Sequence, residues 1–529
     1  MSEKQVAAAK LSEIKNGEMK QVSVGETPVL LVRTGDKCHA LAAHCTHYGA
    51  PLAEGALVDG RIICPWHHAC FNAATGDMLE PPALDSLASY PITVEGDDIY
   101  IALPEQPADR RVPEMTKYDS KRNKGEFVIL GGGAAGYMAA QTLREDDFAG
   151  RITIITRENR APYDRPNLSK DYLAGNAEPE WMPLRSDDFF EEHDIEILRE
   201  KEVAKIDAAG KQIVFSDGEK LSYDKLLIAT GGIPRKLNLP NADLKNIFVL
   251  RTFSGADEII AAAEGAKRAA VIGASFIGME TASSLKQRGI AVTVIAPDKV
   301  PFERTLGTEI GELFRKIHEK NGIEFQLGAN VKGFEGNDIV NAVVLDSGEK
   351  IEADLVIVGI GVTPATAFLD GFELHKDGGV IADGHLKIGD DIYAAGDIVH
   401  FPDARTGEST RIEHWRTALQ QGRVAAHNMA GKAAKFDAVP FFWTTQFDAT
   451  LNYVGHANGW DEIIFQGDVN ARDFLAFYVK NDRVQAVAGM NRDTELAYLQ
   501  EQMRLDQMPT PESLRSAEAK KPGFAAGHK

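Results

Sequence analysis

Apolar and polar positions divide the chain into two short-strand regions and a longer middle region of a different type. In the first hundred residues, short β-branched runs broken by Gly or Asp lie at 62–63, 92–94 and 99–101. After residue 440, alternating runs lie at 451–454, 463–465, 474–479 and 484–488. Runs of this length predict strands, so we expect a small antiparallel β domain near the amino terminus and a second antiparallel sheet, with helices, near the carboxyl terminus.

The middle region opens on an apolar run, 127–130, which leads into a glycine-rich turn and a helical pattern at 137–143. The turn has the spacing Gly-x-Gly-x-x-Gly at Gly131, Gly133 and Gly136. Glycines at these positions allow a tight turn, close approach of a pyrophosphate and close packing of the helix. The next strand, 152–155, leads towards Glu158, which is suited to accept a hydrogen bond from an adenosine ribose. This segment predicts a dinucleotide-binding unit.

The same design occurs a second time further along the chain. The second turn carries the motif positions Gly273, Ser275 and Gly278, with serine in place of the middle glycine. A strand at 291–295 is followed by Asp298, whose neighbour is Lys299 and not an arginine. An acid without an adjacent arginine favours a free 2′-hydroxyl over a 2′-phosphate. Two nucleotides are therefore expected to bind, and NADH is favoured over NADPH at the second unit.

Two short motifs in the first β region supply four possible metal ligands. The ligands are Cys45, His47, Cys64 and His67. Two thiolates and two imidazoles suit tetrahedral zinc, or a [2Fe–2S] cluster in which one iron takes both thiolates and the other takes both imidazoles. Four such residues rarely fall at this spacing as ordinary core residues. The other cysteines, Cys38 and Cys70, lie on no ligand position and are interpreted as packed thiols.

The two loops, 45–52 and 64–71, resemble the cluster-binding loops of Rieske ferredoxins, whereas zinc fingers carry their second histidine pair on a helix. The resemblance implies a Rieske [2Fe–2S] cluster. Ala50 and Trp66 stand where quinol-oxidising Rieske proteins have a cysteine in each loop. No disulfide joins the loops, and a potential near the low end of the Rieske range, about −150 mV, is expected. His68 stands where glycine is common, which is expected to affect the backbone around the cluster.

From about residue 125 to its end, the chain resembles FAD-dependent reductases of the ferredoxin-reductase and apoptosis-inducing-factor type. The resemblance rests on the two glycine motifs and on segments 163–170 and 393–397. It implies that Arg165 and Asp397 help to hold FAD, together with the first glycine motif and Glu158. With the Rieske-like region in front, the whole chain is similar to the apoptosis-inducing-factor-3-like, Rieske-containing branch of the pyridine nucleotide-disulfide oxidoreductases.

The same resemblance implies three residues close to the flavin. Lys170 is expected near the flavin N5 and paired with Glu280, because an ammonium there stabilises negative charge on the reduced flavin and a buried lysine needs a carboxylate partner. The alternative is that both are solvated surface charges. Trp415 is expected between the flavin and the iron–sulfur centre; the alternative is a core aromatic at helical spacing with Leu419. Phe276 is a candidate to shelter the nicotinamide.

Composition limits which binding partners and which cellular compartment are expected for this chain. The formal net charge of −20 argues against nucleic acid or an anionic membrane as a partner. No run approaches eighteen apolar residues, and the opening residues lack the charged and apolar regions of a signal peptide. All four cysteines precede residue 71, which excludes the disulfide-reductase branch for the flavin region. Iron–sulfur ligation indicates a reducing compartment, so a cytoplasmic location without a membrane span is predicted.

The predicted fold class is multidomain α/β plus β, with two Rossmann-like domains between β domains. The boundaries are a Rieske domain 1–104, a linker 105–124, an FAD-binding domain 125–248 and 365–437, an NAD(P)H-binding domain 249–364, a C-terminal α+β interface domain 438–508 and a disordered tail 509–529. The predicted function is transfer of electrons from NADH through FAD and the chain's own cluster to an external redox partner, such as an oxygenase or cytochrome. Two alternatives remain: an NADH-responsive redox sensor, and a Rieske ferredoxin fused to an inactive nucleotide-binding scaffold. A homodimer is left open.

Overall fold

A computed structural model describes residues 4–516, which form two compact units. The first unit contains the chain up to Glu114, the segment Ala438–Trp443 and the chain from Leu451 onward. The second contains Met115–Asp437 and Thr444–Thr450. Within residues 4–516, no helix has both the length and the apolar character needed to cross a bilayer.

The amino-terminal part of the first unit is built from small antiparallel sheets. One has the strand order Lys4–Lys10, Asp98–Leu103 and Ile92–Glu95. A second has the order Ser89–Tyr90, Lys37–Ala42, Thr27–Thr34 and Met19–Val24. A third has the order Ala56–Val58, Arg61–Ile63, Cys70–Asn72 and Met78–Glu80. The strands predicted at 62–63, 92–94 and 99–101 are confirmed. The strand Arg110–Arg111, from the predicted linker, pairs with Ser86–Leu87, so the linker begins within this unit.

The carboxyl-terminal part of the first unit is a five-stranded sheet with two helices. The strand order is Phe441–Gln446, Ala449–Gly455, Arg483–Met490, Asp473–Lys480 and Glu462–Asp468. The helices are Asp493–Arg504 and Pro511–Ser516. All four predicted strands are confirmed. The tail differs from its prediction, because Leu514 of the last helix packs into the core; residues 517–529 lie outside the described part.

The second unit holds two sheets of mainly parallel strands. The first has the order Ile195–Leu198, Arg151–Ile155, Glu126–Leu130, Lys225–Ile228, Ile392–Ala394 and Lys387–Gly389, with only the last pair antiparallel. The second has the order Ile247–Phe248, Leu355–Val358, Arg268–Ile272, Ala291–Ala296 and Glu324–Leu327, all parallel. Central strands such as Leu355–Val358 are apolar and fully buried, as expected when helices cover both faces of a parallel sheet.

The helices and smaller sheets of the second unit surround these two sheets. The α-helices are Ala134–Glu145, Asp171–Ala174, Asp187–Glu192, Phe253–Ala263, Phe276–Gln287, Glu303–Leu306, Thr308–Lys320 and Trp415–Met429. Small antiparallel sheets are formed by Val203–Asp207 with Gln212–Phe215 and Lys220–Ser222, and by Val331–Gly336 with Val340–Leu345 and Lys350–Glu352. Gly232–Pro234 pairs with Val362–Pro364. Val380–Ile381, Val399–Pro402 and Ser409–Thr410 form the last sheet.

Candidate functional site

The two loops that carry the predicted metal ligands close in the same way. The amide of Cys45 donates to the carbonyl of Ala50, and the amide of Cys64 donates to that of Ala69, each at 2.9 Å. Both cysteines are buried, and a hydrogen bond between their thiols together with burial raises the pKa of Cys45. The matching backbone hydrogen bonds of the two loops therefore bring the two sulfur atoms next to each other.

The two ligand histidines also meet each other. Nδ1 of His47 lies 3.1 Å from Nδ1 of His67. Burial lowers the pKa of His47 to about 3, so this imidazole is neutral, the form that binds a metal. Sulfur beside sulfur and nitrogen beside nitrogen is the donor arrangement that a Rieske cluster needs, with two thiolates on one iron and two imidazoles on the other. The four residues therefore fit a [2Fe–2S] cluster.

His68 takes a backbone conformation that usually favours glycine. Its φ is 56°, and Gly49, at the matching position of the first loop, has a φ of 77°. The amide of His68 still donates to the carbonyl of Cys64 at 3.2 Å. The buried imidazole stacks on Phe441 at 4.0 Å, and its Nδ1 lies 2.8 Å from Oε1 of Gln500. The loop therefore keeps a glycine-like turn and uses the added side chain to contact the carboxyl-terminal part of the unit.

A second aromatic residue of the same strand covers the ligand histidines. The ring of Trp443 lies 4.3 Å from the ring of His67 and 6.4 Å from that of His47, measured between centroids. Sequence reasoning missed Trp443, because a half-buried tryptophan on an alternating strand is ordinary core material. The ligand histidines thus face the carboxyl-terminal part of their own chain.

Further contacts fix the two parts of the first unit together. Arg61 forms a salt bridge with Glu501, whose side chain is buried, at 3.1 Å. The hydroxyl of Thr494 donates to the carbonyl of Glu54 at 2.6 Å. An apolar cluster drawn from both parts comprises Ala56, Ile63, Cys70 and Ala497. Cys70 is therefore a packed thiol, as predicted.

Both glycine motifs form turns that tolerate only glycine at the outer positions. A Cβ on Gly131 would overlap the carbonyl oxygen of Ala229, and a Cβ on Gly136 would overlap that of Gly131. Gly131 also has a φ of 121°. Gly133 precedes the helix Ala134–Glu145 and has no atom within 4 Å of its Cβ position. This open space at a helix amino terminus fits the pyrophosphate of FAD.

The second motif repeats this geometry. A Cβ on Gly273 would overlap the carbonyl oxygen of Gly359, and a Cβ on Gly278 would overlap that of Gly273. Ser275 caps the helix Phe276–Gln287 with an extended φ of −100°, which any residue can adopt. Serine at the middle position therefore costs no backbone strain, and the turn fits a second dinucleotide.

The residues predicted to hold FAD beyond the glycine motif are linked to one another. Nη2 of Arg165 lies 2.7 Å from Oε1 of Glu158, and the hydroxyl of Tyr163 donates to Oε2 of Glu158 at 2.7 Å. Arg165 also donates to the carbonyl of Arg251, whose guanidinium lies 2.8 Å from Oδ2 of Asp397. Neither Tyr163 nor Arg251 was among the residues predicted to hold FAD: Tyr163 belongs to the segment 163–170 on which the resemblance rests, and Arg251 lies outside the motifs.

Lys170 and Glu280 come together as a buried pair. Nζ of Lys170 lies 2.8 Å from Oε2 of Glu280, whose side chain is only 3% exposed. Glu280 also accepts from the hydroxyls of Ser169 at 2.5 Å and Thr444 at 2.7 Å. A buried carboxylate is stable when it has such charge and hydrogen-bond partners. The surface-charge alternative is excluded, and the position of the pair beside the flavin stays a prediction.

Trp415 is the first residue of the helix Trp415–Met429 and is half-buried. Further along this helix, a Cβ on Gly422 would overlap the carbonyl oxygen of Ala135. The helix therefore packs closely on the helix Ala134–Glu145, which follows the first glycine motif. The role of Trp415 in electron transfer stays a prediction.

The surroundings of Asp298 differ from the prediction. Nε of Arg304 lies 3.0 Å from Oδ1 of Asp298. The prediction considered only neighbours along the chain, and the structure adds an arginine that approaches the carboxylate in space. Adjacency along the chain points only to Lys299, whereas the short helix Glu303–Leu306 brings Arg304 back to the carboxylate.

We expect the substitution Asp298→Ala to shift coenzyme preference towards NADPH. The change removes the carboxylate that is predicted to accept from the ribose 2′-hydroxyl and frees Arg304, which is exposed, to pair with a 2′-phosphate. Losing a charged hydrogen bond of about 1.5–3 kcal/mol lowers kcat/KM with NADH by about tenfold to a hundredfold. Steady-state kinetics with both coenzymes measures this, with Asp338→Ala, an exposed acid paired with Lys245, as the control. An unchanged ratio of the two kcat/KM values would contradict the assignment.

Family models match along most of the chain. The Rieske [2Fe-2S] domain model matches residues 4–91, and the reductase C-terminal model matches residues 441–520. The pyridine nucleotide-disulphide oxidoreductase model matches residues 125–422, more than half of the chain. The chain belongs to the pyridine nucleotide-disulphide oxidoreductase family. It is an NAD(P)H-dependent flavoprotein reductase with a Rieske domain, and its cofactors are FAD, NADH and a [2Fe–2S] cluster.

Relatives and solved structures agree with this family. Apoptosis-inducing factor 3 from Homo sapiens is 39% identical over 503 residues, which are 92% of this chain and 82% of the relative. Putidaredoxin reductase from Pseudomonas putida is 33% identical over 399 residues, or 74% of this chain and 94% of the relative. The crystal structure of the covalent putidaredoxin reductase–putidaredoxin complex has a TM-score of 0.71 at 32% identity, covering 74% of this chain and 96% of that chain. The predicted fold class and family are confirmed.

Proposed function

We propose that this oxidoreductase passes electrons from NADH through FAD to the Rieske cluster of its own chain and then to an external redox protein. The packing of the ligand histidines on Trp443 carries the proposal, since His67 and Trp443 lie 4.3 Å apart in one compact unit. Trp443 belongs to the reductase C-terminal region, so the iron–sulfur loops contact that region of the same polypeptide.

The relatives support the same direction of electron flow. The related complex joins putidaredoxin reductase covalently to putidaredoxin, whereas this chain carries its iron–sulfur domain itself. The first glycine motif, with Glu158, Arg165 and Asp397, would hold FAD, which would supply hydride acceptance from NADH and release of single electrons. Lys170, held by Glu280, supplies a fixed positive charge at the predicted N5 position. Trp443 keeps water away from the histidine edge of the cluster.

The external partner and the location are part of this proposal. The net charge of −20 suits a redox protein with a basic docking patch, such as an oxygenase component or cytochrome. A cytoplasmic location and a possible second copy of the chain stay predictions. The sedimentation of the protein, measured with and without NADH, gives the number of chains in the assembly.

A single-turnover experiment tests the relay. Oxidised protein is mixed with NADH without oxygen, and the absorbance of flavin and cluster is followed separately. We expect the cluster to become reduced after the flavin, at a rate that does not depend on protein concentration, because both centres belong to one chain. Bleaching of the flavin with a cluster that stays oxidised, or a rate proportional to concentration, would overturn the proposal. Slow turnover with an external acceptor, accompanied by an NADH-dependent change in sedimentation, would favour the redox-sensor alternative.

The substitution His47→Cys separates the two halves of the relay. It replaces one imidazole with a thiolate, so the paramagnetic resonance and the potential of the cluster are expected to change. Reduction of the flavin by NADH is expected to match the wild type, because His47 lies in the Rieske domain. The control is His39→Gln, which changes a histidine of the same domain outside the ligand set. A parallel loss of flavin reduction in His47→Cys would contradict the assignment of separate centres.

The substitution His68→Gly tests whether this side chain secures the Rieske domain. Glycine suits the φ of 56° but leaves the buried amide of Gln500 without its partner, at a cost of about 1–3 kcal/mol. We expect unchanged cluster resonance, faster limited proteolysis between the domains and slower reduction of the cluster. His68→Asn is the matched control, because asparagine tolerates this conformation and keeps a polar side chain. If His68→Gly is cleaved at the same rate as the wild type, the proposal that the His68 side chain secures the Rieske domain is contradicted.

A further inference from the structure

Two histidines and a carboxylate meet in the second unit, outside the nucleotide motifs. His375 and Asp377 lie in one turn, and His400 lies on the strand Val399–Pro402. Oδ1 of Asp377 is 3.0 Å from Nδ1 of His375 and 3.0 Å from Nε2 of His400. The three donor atoms all lie within 4.8 Å of one another. The side chains therefore converge on one point.

The backbone holds this arrangement closely. The amide of His375 donates to the carbonyl of Gly379 at 2.7 Å, which closes the turn, and Gly378 has a φ of 89°. A Cβ on Gly379 would lie 2.6 Å from Cδ2 of His400. Glycine at 379 therefore lets the imidazole of His400 approach the turn. The donors are brought together by a tight turn against a strand and not by flexible side chains alone.

We infer that His375, Asp377 and His400 bind a divalent transition metal of the Zn²⁺ type. Two ligand atoms of a tetrahedral zinc site with bonds of about 2.0–2.1 Å are about 3.3 Å apart, close to the two separations of 3.0 Å. Imidazole nitrogen and carboxylate oxygen are ligands that zinc accepts. The side chains of His375 and Asp377 are 35% and 32% exposed, which leaves the fourth position open to water.

Outer partners orient the proposed ligands. Nε of Arg411 donates to Oδ2 of Asp377 at 2.9 Å, and the amide of Gly379 donates to Oδ1 at 3.0 Å. The carboxylate is therefore held from both oxygens, and Oδ1 would offer the metal its remaining lone pair. Oγ of Ser409 lies 3.5 Å from Nδ1 of His400, the ring nitrogen that faces away from the metal. Such partners fix the orientation of metal-binding side chains. The charge of Arg411 is offset by Glu413 at 2.6 Å, so the cation does not cancel the attraction of Asp377 for a metal.

The site connects to the segment that is predicted to hold FAD. Arg411 also donates to the carbonyl of Asp397 at 2.8 Å. A metal bound to Asp377 would fix the position of the carboxylate to which Arg411 donates. Because Arg411 also donates to the carbonyl of Asp397, the metal would stabilise the segment that carries Asp397. A bound metal is therefore expected to slow thermal release of FAD. This readout depends on FAD binding and is independent of whether electrons reach the cluster.

Metal content measured on the holoprotein tests the inference. The protein is dialysed against Zn²⁺ with a competing chelator, and zinc, iron and FAD are counted per chain. We expect one zinc beyond the cluster iron, and zinc affinity lowered by about tenfold to a hundredfold or more in His375→Gln and in His400→Gln. The control is His385→Gln, whose imidazole bonds the carbonyl of Ala434 outside the cluster. Equal zinc binding by all four proteins, or none by the wild type, overturns the site.

Cu²⁺ gives a second measurement that does not depend on affinity. One equivalent of Cu²⁺ is added to fully oxidised protein, and its electron paramagnetic resonance spectrum is recorded. We expect the spectrum to show coupling of the copper to two imidazole nitrogens. His375→Gln, in which a partly exposed residue is changed, is expected to show coupling to one nitrogen with wild-type FAD and iron content. Unchanged coupling in this variant would mean that copper binds elsewhere, and the inference would fall.

Discussion

Replacing Lys170 with methionine is expected to slow reduction of the flavin by NADH by about a hundredfold to a thousandfold, the size of effect seen when one preorganised charge-stabilising donor is removed from an active site. Methionine has a similar length and no charge, so negative charge that develops at the predicted N5 position loses its partner. The loss also leaves the carboxylate of Glu280 with only its two hydroxyl donors among the contacts described above. Stopped-flow absorbance of the flavin with NADH measures the rate.

The control for this change is Lys211→Met, which removes an exposed lysine paired with Asp391 at 2.7 Å in the same unit. Both variants are compared after their FAD content is measured, since loss of FAD would also slow the reaction. A second variant, Glu280→Gln, keeps the size of the side chain and one acceptor oxygen and removes the negative partner of Lys170. If Lys170→Met with full FAD reduces at the wild-type rate, the pair is structural and does not act at the flavin.

Replacing Trp443 with alanine is expected to leave flavin reduction by NADH unchanged and to slow the following reduction of the cluster strongly. Truncating a fully buried tryptophan costs about 3–5 kcal/mol, so a smaller cost is expected for the half-buried Trp443, together with open space against the ring of His67. Water then reaches the histidine edge of the cluster, and the Rieske loops lose one of their contacts with the carboxyl-terminal region. Flavin and cluster absorbance in one turnover measure the two steps separately.

Trp460→Ala is the matched control for Trp443. Trp460 lies in the same carboxyl-terminal region, and its ring contacts Tyr478 at 5.1 Å. We expect this variant to be destabilised to a similar degree but to keep the wild-type ratio of the two rates. Trp443→Phe, which keeps an aromatic ring, is expected to fall between alanine and the wild type. If Trp443→Ala and Trp460→Ala slow reduction of the cluster equally, Trp443 contributes only to packing and not to electron transfer.

The sequence was most informative where chemistry depends on residues close together in the chain. The ligands Cys45 and His47 are two positions apart, and the glycine motifs span a single turn, so spacing marks a metal centre and two nucleotide sites. The choice of a [2Fe–2S] cluster over zinc came from the resemblance of the loops to Rieske ferredoxins. Local pattern also predicts the strands of both β regions, because alternation of apolar residues is a local property. Each of these predictions concerned a short segment whose conformation is set by its own residues.

Contacts between distant segments were outside the reach of that reasoning. Gln500 and Trp443 meet the Rieske loops across roughly four hundred residues of chain, and nothing in either local pattern marks them. The donors Ser169 and Thr444 to Glu280 were missed for the same reason. Arg304 was missed because a short helix turns it back to Asp298. The pairing of Lys170 with Glu280 was predicted only because a family resemblance supplied the long-range contact.

The first unit is built from two segments that lie far apart in the chain, and this has a consequence for biosynthesis. Its two parts are separated by about 320 residues, from Glu114 to Ala438. At a translation rate of roughly 5–20 residues per second, about 15–65 s pass between the synthesis of Glu114 and that of Trp443, and about 20–80 s before Gln500 is added. Throughout that interval neither Trp443 nor Gln500 is present to contact the two loops. A cluster inserted during that interval would reach its four ligands before Trp443 and Gln500 pack against the two loops.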